Sequence, residues 1–206
     1  MENLEKEEKW GLDSHSFEVV ADSVFRQITG TVTPQGVLGL VLMPFYKLET
    51  ILEDKRRSFL LLDDLRDPGN LGTIMRTAEG ADMSGVILSR KSVDLFNPKV
   101  VRATMGAIFR VPFYYAEDLT EIIELLKSRD IPVYGTMVKG SLLYDQADYR
   151  GGAAIVVGNE ANGISRQVGE ALSAKVRIPM AGSLESLNAA VSAAILMYEI
   201  SRQKRD

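Results

Sequence analysis

The sequence predicts an α/β protein built around a mainly parallel sheet. From about residue 58 onward, short apolar runs alternate with segments of helical periodicity, which is typical of strands joined by crossover helices. Several of these runs are apolar throughout rather than at every second position, as expected of strands buried on both faces. Most of the chain is therefore expected to form one sheet covered by helices.

Five apolar runs supply the predicted strands. The first, FLLLDDL, and the fourth, AAIVVG, begin with four apolar residues in a row, which suits the middle of a parallel sheet. The other three are shorter or mixed, but each contains Val and Ile, and β-branched residues favour strands. In chain order the predicted strands are 59–65, 85–89, 131–137, 153–158 and 175–180.

Helical periodicity predicts four helices among these strands. In the first, apolar residues recur from Leu71 to Ala78 at helical spacing, which leaves Arg76 on the opposite, displayed face. Asn70 and Ser186 are expected to cap the first and the last helix, because their side chains accept hydrogen bonds from free N–H groups at a helix start. The predicted helices are 70–82, 98–109, 118–129 and 186–202.

The first 50 residues differ from this pattern. Residues 1–13 are predicted to be an acidic N-terminal segment that is either disordered or helical. Helical spacing predicts a helix over 16–28, and the run GVLGLVLM at 36–43 is predicted to be a strand. A charged connector places the expected domain boundary near 48–57. The expected domains are 1–50 and 51–206.

Composition excludes several classes of function. The 206 residues include no Cys and a single His, His15, which excludes disulfide frameworks, Cys/His zinc sites and Ser-His-Asp catalysis. No metal is expected. No apolar run approaches the roughly 20 residues needed to span a bilayer, and the first residues lack the apolar segment of a secretory signal. A cytoplasmic protein is expected.

Loops rich in Gly and polar residues follow the predicted strands, at the edge where parallel sheets bind ligands. The loop 158–165 has the sequence GNEANGIS, which is similar to a phosphate-binding loop, yet Ile164 occupies the position of the required Lys. No dinucleotide-binding G-x-G-x-x-G follows the first strand. An ordinary tight turn with a solvated Glu160 remains an alternative. The loops are 63–73, 135–141, 158–165 and 179–188.

Charge is unevenly distributed along the chain. The net charge of −4 argues by itself against a nucleic-acid partner. Within 89–110, however, five basic side chains are accompanied by a single acidic one, Asp94. Such a stretch is compatible with phosphate contacts, and a solvated surface is the alternative. Lys99 and Arg102 are the candidate RNA contacts.

Three segments together resemble the SpoU family of S-adenosylmethionine-dependent RNA ribose 2'-O-methyltransferases, within the SPOUT superfamily. DPGNLGTIMRTA is similar to the first family motif, IVVGNEANGIS to the second and IPMAGSLESLNAAVSAAILMYE to the third. The stretch SVDLFNPKVVRATMGAIFRVPF is similar to the segment that follows the first motif. The resemblance covers about 58–202, and its order and spacing are specific.

The resemblance implies a fold, a cofactor and a set of site residues. It implies a deep C-terminal trefoil knot, an exception to the unknotted rule, and homodimers whose active sites lie at the interface. S-adenosyl-L-methionine would bind among the knot loops. The implied cofactor contacts are Thr136, Gly158, Ile178, Met180 and Leu187. The implied catalytic residues are Asn70, Arg76, Glu160, Ser186 and Asn188.

Residues 17–44 resemble the end of the L30e-like RNA-binding domain that family members carry in front. The segment TVTPQGVLGLVLMP carries this similarity. Only part of such a domain is therefore expected here, as a substrate-binding segment before the methyltransferase domain.

The expected reaction is attack of a ribose 2'-oxygen on the cofactor methyl group. The family proposal makes the Arg at the position of Arg76 the base, but a guanidinium has a pKa above 12 and normally stays protonated. Arg76 is alternatively expected to stabilise the developing alkoxide and to clamp a phosphate. Glu160 would orient Arg76 or take the proton, and Asn70 would hold Arg76 or the ribose.

Three readings of function remain at this point. The resemblance favours an RNA 2'-O-methyltransferase that acts on ribosomal RNA, with transfer RNA as the alternative substrate. A non-catalytic RNA-binding paralogue is the second reading. The third, an unrelated nucleotide-binding enzyme, lacks its Lys or its glycine fingerprint.

Overall fold

The computed structural model describes residues 17–137 and 142–205. The chain divides into two units between Met43 and Pro44. The acidic N-terminal segment at 1–13, Ser16 and part of the loop 135–141 lie outside the described residues.

The first unit contains one helix, α1, Asp22–Thr29, within its described part, and this helix buries no residue. It begins later than predicted, with Asp22 in its first turn, where a carboxylate favours the positive end of the helix dipole. The strand predicted at 36–43 is wrong, because this run has no regular structure. Leu40 and Leu42 in it are each 95% exposed. A strand needs partners for its backbone groups, and no described strand of this unit supplies them.

The second unit is built on a sheet with the order β3-β2-β1-β6-β4-β7-β5, in which every strand pairing is parallel. The prediction of a mainly parallel α/β sheet is confirmed. Sequence patterns missed β3 and β5. The strands are β1 Ser58–Asp63, β2 Gly85–Ser89, β3 Phe113–Ala116, β4 Val133–Thr136, β5 Leu142–Leu143, β6 Ala153–Gly158 and β7 Ala174–Arg177.

Six α-helices of the described residues accompany this sheet. Both α2 and α6 were absent from the prediction, and α2 falls in the segment interpreted as a charged connector. The helices are α2 Leu48–Leu52, α3 Pro68–Gly80, α4 Pro98–Ala103, α5 Leu119–Lys127, α6 Arg166–Ala171 and α7 Ala189–Arg205.

Strand β1 shows how the two faces of the sheet are covered. Leu60 and Leu62 point into one apolar cluster, which includes residues of α3 and α7. Phe59 and Leu61 point into a second cluster, which includes residues of α5. All six residues of β1 are buried, so the strand lies between two apolar layers, as its unbroken apolar run predicts.

The helix predicted at 98–109 is interrupted. It ends at Ala103, and a short 3₁₀ helix follows at Ala107–Phe109. Between them Met105 has φ 51° and Gly106 has φ 85°, values of the left-handed region that an α-helix cannot contain. The chain therefore turns sharply here instead of continuing as one helix.

Two helix starts differ from prediction. Asp67, not Asn70, caps α3, because its Oδ1 accepts a hydrogen bond from the Asn70 N–H at 2.7 Å while Pro68 occupies the first turn, where proline fits. Ser186 does not cap the last helix. Asn188 does so, since its Oδ1 accepts from the N–H of Ala190 at 2.9 Å.

Among residues 17–137 and 142–205, every helix is too short or too polar to cross a lipid bilayer.

Candidate functional site

A cavity of about 630 Å³ opens at the carboxyl ends of β4, β6 and β7. This is the edge at which parallel sheets bind ligands, and the volume suits a small organic molecule. All five residues predicted to contact a cofactor line it: Thr136, Gly158, Ile178, Met180 and Leu187. Three of the predicted catalytic residues line it as well: Glu160, Ser186 and Asn188.

One wall of the cavity is the loop 158–165, which folds back on itself after β6. The N–H of Asn159 donates to the carbonyl of Gly163 at 3.0 Å, and the N–H of Gly163 donates to the carbonyl of Asn159 at 2.8 Å. A Cβ atom placed on Gly158 would lie 2.2 Å from the Ile164 nitrogen. Only glycine fits at this position, and backbone therefore forms this part of the wall.

The carboxylate of Glu160 is held by three donors. Its Oε1 accepts from Asn70 Nδ2 at 3.0 Å and from the Asp67 N–H at 3.1 Å, and its Oε2 accepts from the Arg66 N–H at 3.2 Å. Partial burial raises the pKa of Glu160, but these hydrogen bonds outweigh that effect and hold the pKa below its usual value. Glu160 is therefore ionised at neutral pH, and its bonds go to the start of α3 rather than to Arg76.

Asn70 connects this carboxylate to the third motif. Its side-chain amide donates to Glu160, and its Oδ1 accepts from Asn188 Nδ2 at 2.9 Å. Asn188 in turn caps α7. We call Asn70, Glu160 and Asn188 the amide–carboxylate relay. This relay joins the three sequence motifs in one hydrogen-bonded chain beside the cavity, and Asn70 itself is only 9% exposed.

Arg76 lies apart from the relay. It is exposed on α3 and does not line the cavity. Within the described residues its side chain makes neither a hydrogen bond nor an ion pair. The face of α3 that carries it also exposes Thr73 and Gly80, as the helical spacing predicts.

The two candidate RNA contacts are exposed on α4. Lys99 has no carboxylate partner among the described residues, and Arg102 donates from Nε only to the carbonyl of Pro98, at 3.3 Å. Two other basic residues of the same stretch are paired, Arg90 with Glu117 and Arg110 with Glu79. Lys99 and Arg102 therefore keep their positive charge available to solvent.

Sequence reasoning missed three residues that shape the site: Asp63, Asp67 and Asn159. Asp67 holds the start of α3, and the Asp-Pro pair that signals such a cap was present in the sequence. Asp63 and Asn159 each bond to a neighbouring loop. No local pattern indicated those two, because their partners come from segments about 100 positions away.

Comparisons with known proteins agree with this geometry. The model of the SpoU rRNA Methylase family matches residues 57–198. The 23S rRNA (guanosine(2553)-2'-O)-methyltransferase RlmP of Bacillus subtilis (strain 168) is 35% identical over 182 residues, which are 88% of this chain and 71% of RlmP.

Two solved structures are similar as well. An rRNA methyltransferase from Sinorhizobium meliloti has a TM-score of 0.81 at 35% identity, over 88% of this chain and 70% of that one. The SpoU methyltransferase AviRb from Streptomyces viridochromogenes, in complex with the cofactor AdoMet, has a TM-score of 0.73 at 31% identity, over 79% of this chain. The chain spans 63% of the length of AviRb.

Proposed function

The chain belongs to the SpoU rRNA methylase family, and from that membership we propose that it transfers a methyl group from S-adenosylmethionine to a ribose 2'-hydroxyl of RNA. The observation that carries the proposal is the cavity at the sheet edge, bordered by the amide–carboxylate relay. Ribosomal RNA is the favoured substrate, because the similar B. subtilis protein is named for 23S rRNA.

The cavity fits S-adenosylmethionine by size and by chemistry. Apolar side chains such as Val157, Ile164 and Leu187 line it and suit the faces of an adenine ring. The backbone of the loop at Gly158 and the hydroxyls of Thr136 and Ser186 offer polar partners for the ribose and the amino acid part. The solved AviRb structure holds AdoMet, which supports the same site here.

When bound, the cofactor supplies an activated methyl group on a sulfonium, so the chain has to position and stabilise rather than activate it. The relay holds the start of α3 beside the cavity, and Asn70 positions Glu160 and Asn188, which line it. Glu160 keeps its negative charge and three donors, so we assign it a positioning role rather than that of the base. The 2'-hydroxyl proton passes to solvent water as the new C–O bond forms, and S-adenosylhomocysteine is released. Arg76 stabilises the developing alkoxide or the neighbouring phosphate.

We propose that the protein is a homodimer in which Arg76 acts in the partner's site. Arg76 lies on the exposed face of α3, away from the relay. This face continues onto α7, because a Cβ atom placed on Gly80 of α3 would lie 3.0 Å from the hydroxyl of Tyr198 on α7. Tyr198 is 50% exposed and Val191 is 47% exposed, which supports an apolar contact between copies. A mixed dimer of Arg76→Ala and Gly158→Trp chains is then expected to regain methyl transfer, and an inactive mixed dimer would contradict the proposal.

Three further assignments complete the proposal. The domains are a partial L30e-like RNA-binding segment over 1–50 and a SPOUT methyltransferase domain over 51–206, with the trefoil knot formed by its C-terminal loops. The strand order supports the knot, because β6 is inserted between β1 and β4, and β7 between β4 and β5. Lys99 and Arg102 contact RNA phosphates. The protein acts in the cytoplasm, where ribosomal RNA is found.

A methyl-transfer assay tests the proposal. Purified protein is incubated with radiolabelled S-adenosylmethionine and, separately, unmodified ribosomal RNA and unmodified transfer RNA. Label in ribosomal RNA at a position that resists alkaline hydrolysis, the property of a 2'-O-methyl nucleotide, is expected. Label in transfer RNA alone would correct the substrate, and RNA binding without transfer would identify a non-catalytic paralogue.

A further inference from the structure

We propose that Asp63 is a positioning residue of the cofactor site: its carboxylate fixes the loop 158–165 against the end of β1. Asp63 does not line the cavity, so it acts through the loop that does. The inference rests on the proposed function, because it concerns the affinity for S-adenosylmethionine.

The contact joins two segments that are far apart in sequence. Asp63 is the last residue of β1, and its side chain is almost fully buried, with 7% of the residue exposed. Its Oδ2 accepts a hydrogen bond from the N–H of Ser165 at 2.7 Å. In the sheet Asp63 pairs with Gly158. The strand pairing therefore holds the beginning of the loop at Asp63, and the carboxylate holds its end at the same place.

Asn159 makes a second connection at the start of the loop. Its Nδ2 donates to the carbonyl of Asp64 at 2.9 Å. Its Oδ1 accepts from the N–H groups of Ala161 at 2.9 Å and Asn162 at 3.0 Å, which shapes the turn itself. Both ends of the loop are thus tied to the end of β1 by side chains that are not among the family-implied site residues.

Packing alone does not hold this loop in place. Residues 160–163 are exposed, so they contribute little buried apolar surface. A loop of that kind keeps one conformation through its hydrogen bonds, and those to a charged acceptor are the stronger ones. A loop that is already in its binding conformation loses less entropy when a ligand binds. Asp63 therefore increases the affinity for the cofactor without touching it.

Calorimetric titration with S-adenosylmethionine tests this on the full chain. Asp63→Ala is expected to weaken binding by roughly tenfold, the value of one hydrogen bond to a charged group. Asp63→Asn is expected to stay within about threefold of the wild-type protein, because the amide oxygen still accepts the Ser165 N–H. Asp118→Ala is the matched control, since Asp118 accepts from the Thr120 N–H at the start of α5, away from the cavity.

Each outcome decides between the alternatives. Wild-type affinity in Asp63→Ala overturns the inference, and so does equal weakening in Asp63→Asn or in Asp118→Ala. If Asp63→Ala does not fold, Ser165→Pro takes its place: the φ of −60° at Ser165 suits proline, which removes the N–H that Asp63 accepts, and wild-type affinity there overturns the inference. Failure of the wild-type protein itself to bind S-adenosylmethionine refutes the proposed function, a separate result.

Discussion

Asn70 and Arg76 lie on the same helix, α3, but their surroundings are opposite. Asn70 is buried and bonded on both sides, to Glu160 and to Asn188. Arg76 is exposed and has no described partner. This contrast supports the proposal that one chain forms the cofactor-binding part of the site by itself, whereas Arg76, the proposed reactive group, faces outward. We infer that Arg76 becomes part of a complete site only when RNA is bound and a second copy of the chain is present.

The largest effect is expected on the exposed face of α3. Arg76→Ala should lower the rate of methyl transfer by about 100-fold or more, the range for loss of one group that stabilises a developing anion. Affinity for S-adenosylmethionine should not change, because Arg76 does not line the cavity. Single-turnover assays and calorimetric titration measure the two quantities. Near-full turnover in Arg76→Lys would contradict a role for the guanidinium geometry.

A smaller effect on rate is expected in the relay. Glu160→Gln places an amide group against backbone N–H donors, so at least one of the three hydrogen bonds is lost. We expect roughly tenfold slower transfer and a lower melting temperature, as for loss of a charged acceptor. Glu170→Gln is the matched control, because Glu170 only pairs with Arg166 on the surface. Unchanged rate and stability in Glu160→Gln would mean that the relay does not position the site.

Acid should remove the contribution of Glu160 to stability. Its pKa in the folded protein is lowered, so the stabilisation is fully present above its unfolded pKa of about 4.3 and is lost as the pH falls through the folded value. The difference in free energy of unfolding between wild type and Glu160→Gln should be constant at neutral pH and shrink in acid. Urea unfolding over that range measures it. A difference that grows in acid would mean that the folded pKa is raised instead.

The smallest effects are expected on α4. Lys99→Ala and Arg102→Ala should each reduce the slope of log affinity for RNA against log salt concentration by about 1 or less, as expected for one phosphate contact. Lys55→Ala is the control, since Lys55 is exposed just before β1, at the other end of the strands. Equal slopes in all three variants would assign Lys99 and Arg102 to the solvated surface.

The sequence predicted the parts of the fold that local patterns determine. The buried run of β1, the amphipathic helix α3 and the loop after β6 follow from apolar periodicity and turn residues. The break at Met105 and Gly106 was missed. Gly106 was the available signal, because glycine often follows the end of a helix, but nothing in the sequence indicates the left-handed φ of Met105. The run at 36–43 was misassigned because strand-like composition does not supply a pairing strand.

The candidate site was also predicted only in part: local motifs identified residues of the cavity, but not the contacts between distant segments. Motif similarity named eight of the residues that line the cavity, and the structure brings all five cofactor candidates together. The capping roles of Asn70 and Ser186 were wrong, because the neighbouring Asp67 and Asn188 accept the relevant N–H groups instead. The bond from Asp63 to Ser165 spans 102 positions, and no sequence window contains both residues.

The central claim is that Arg76 is separate from the cavity that binds the cofactor. Titration of S-adenosylmethionine into wild-type, Arg76→Ala and Gly158→Ala proteins tests it. A Cβ atom at residue 158 meets backbone of the loop at 2.2 Å, so Gly158→Ala should displace the cavity wall, whereas Gly169→Ala has open space and serves as the control. Equal binding by the wild type and Arg76→Ala, with loss in Gly158→Ala, is the expected result. Weakened binding in Arg76→Ala, or unchanged binding in Gly158→Ala, would contradict the account.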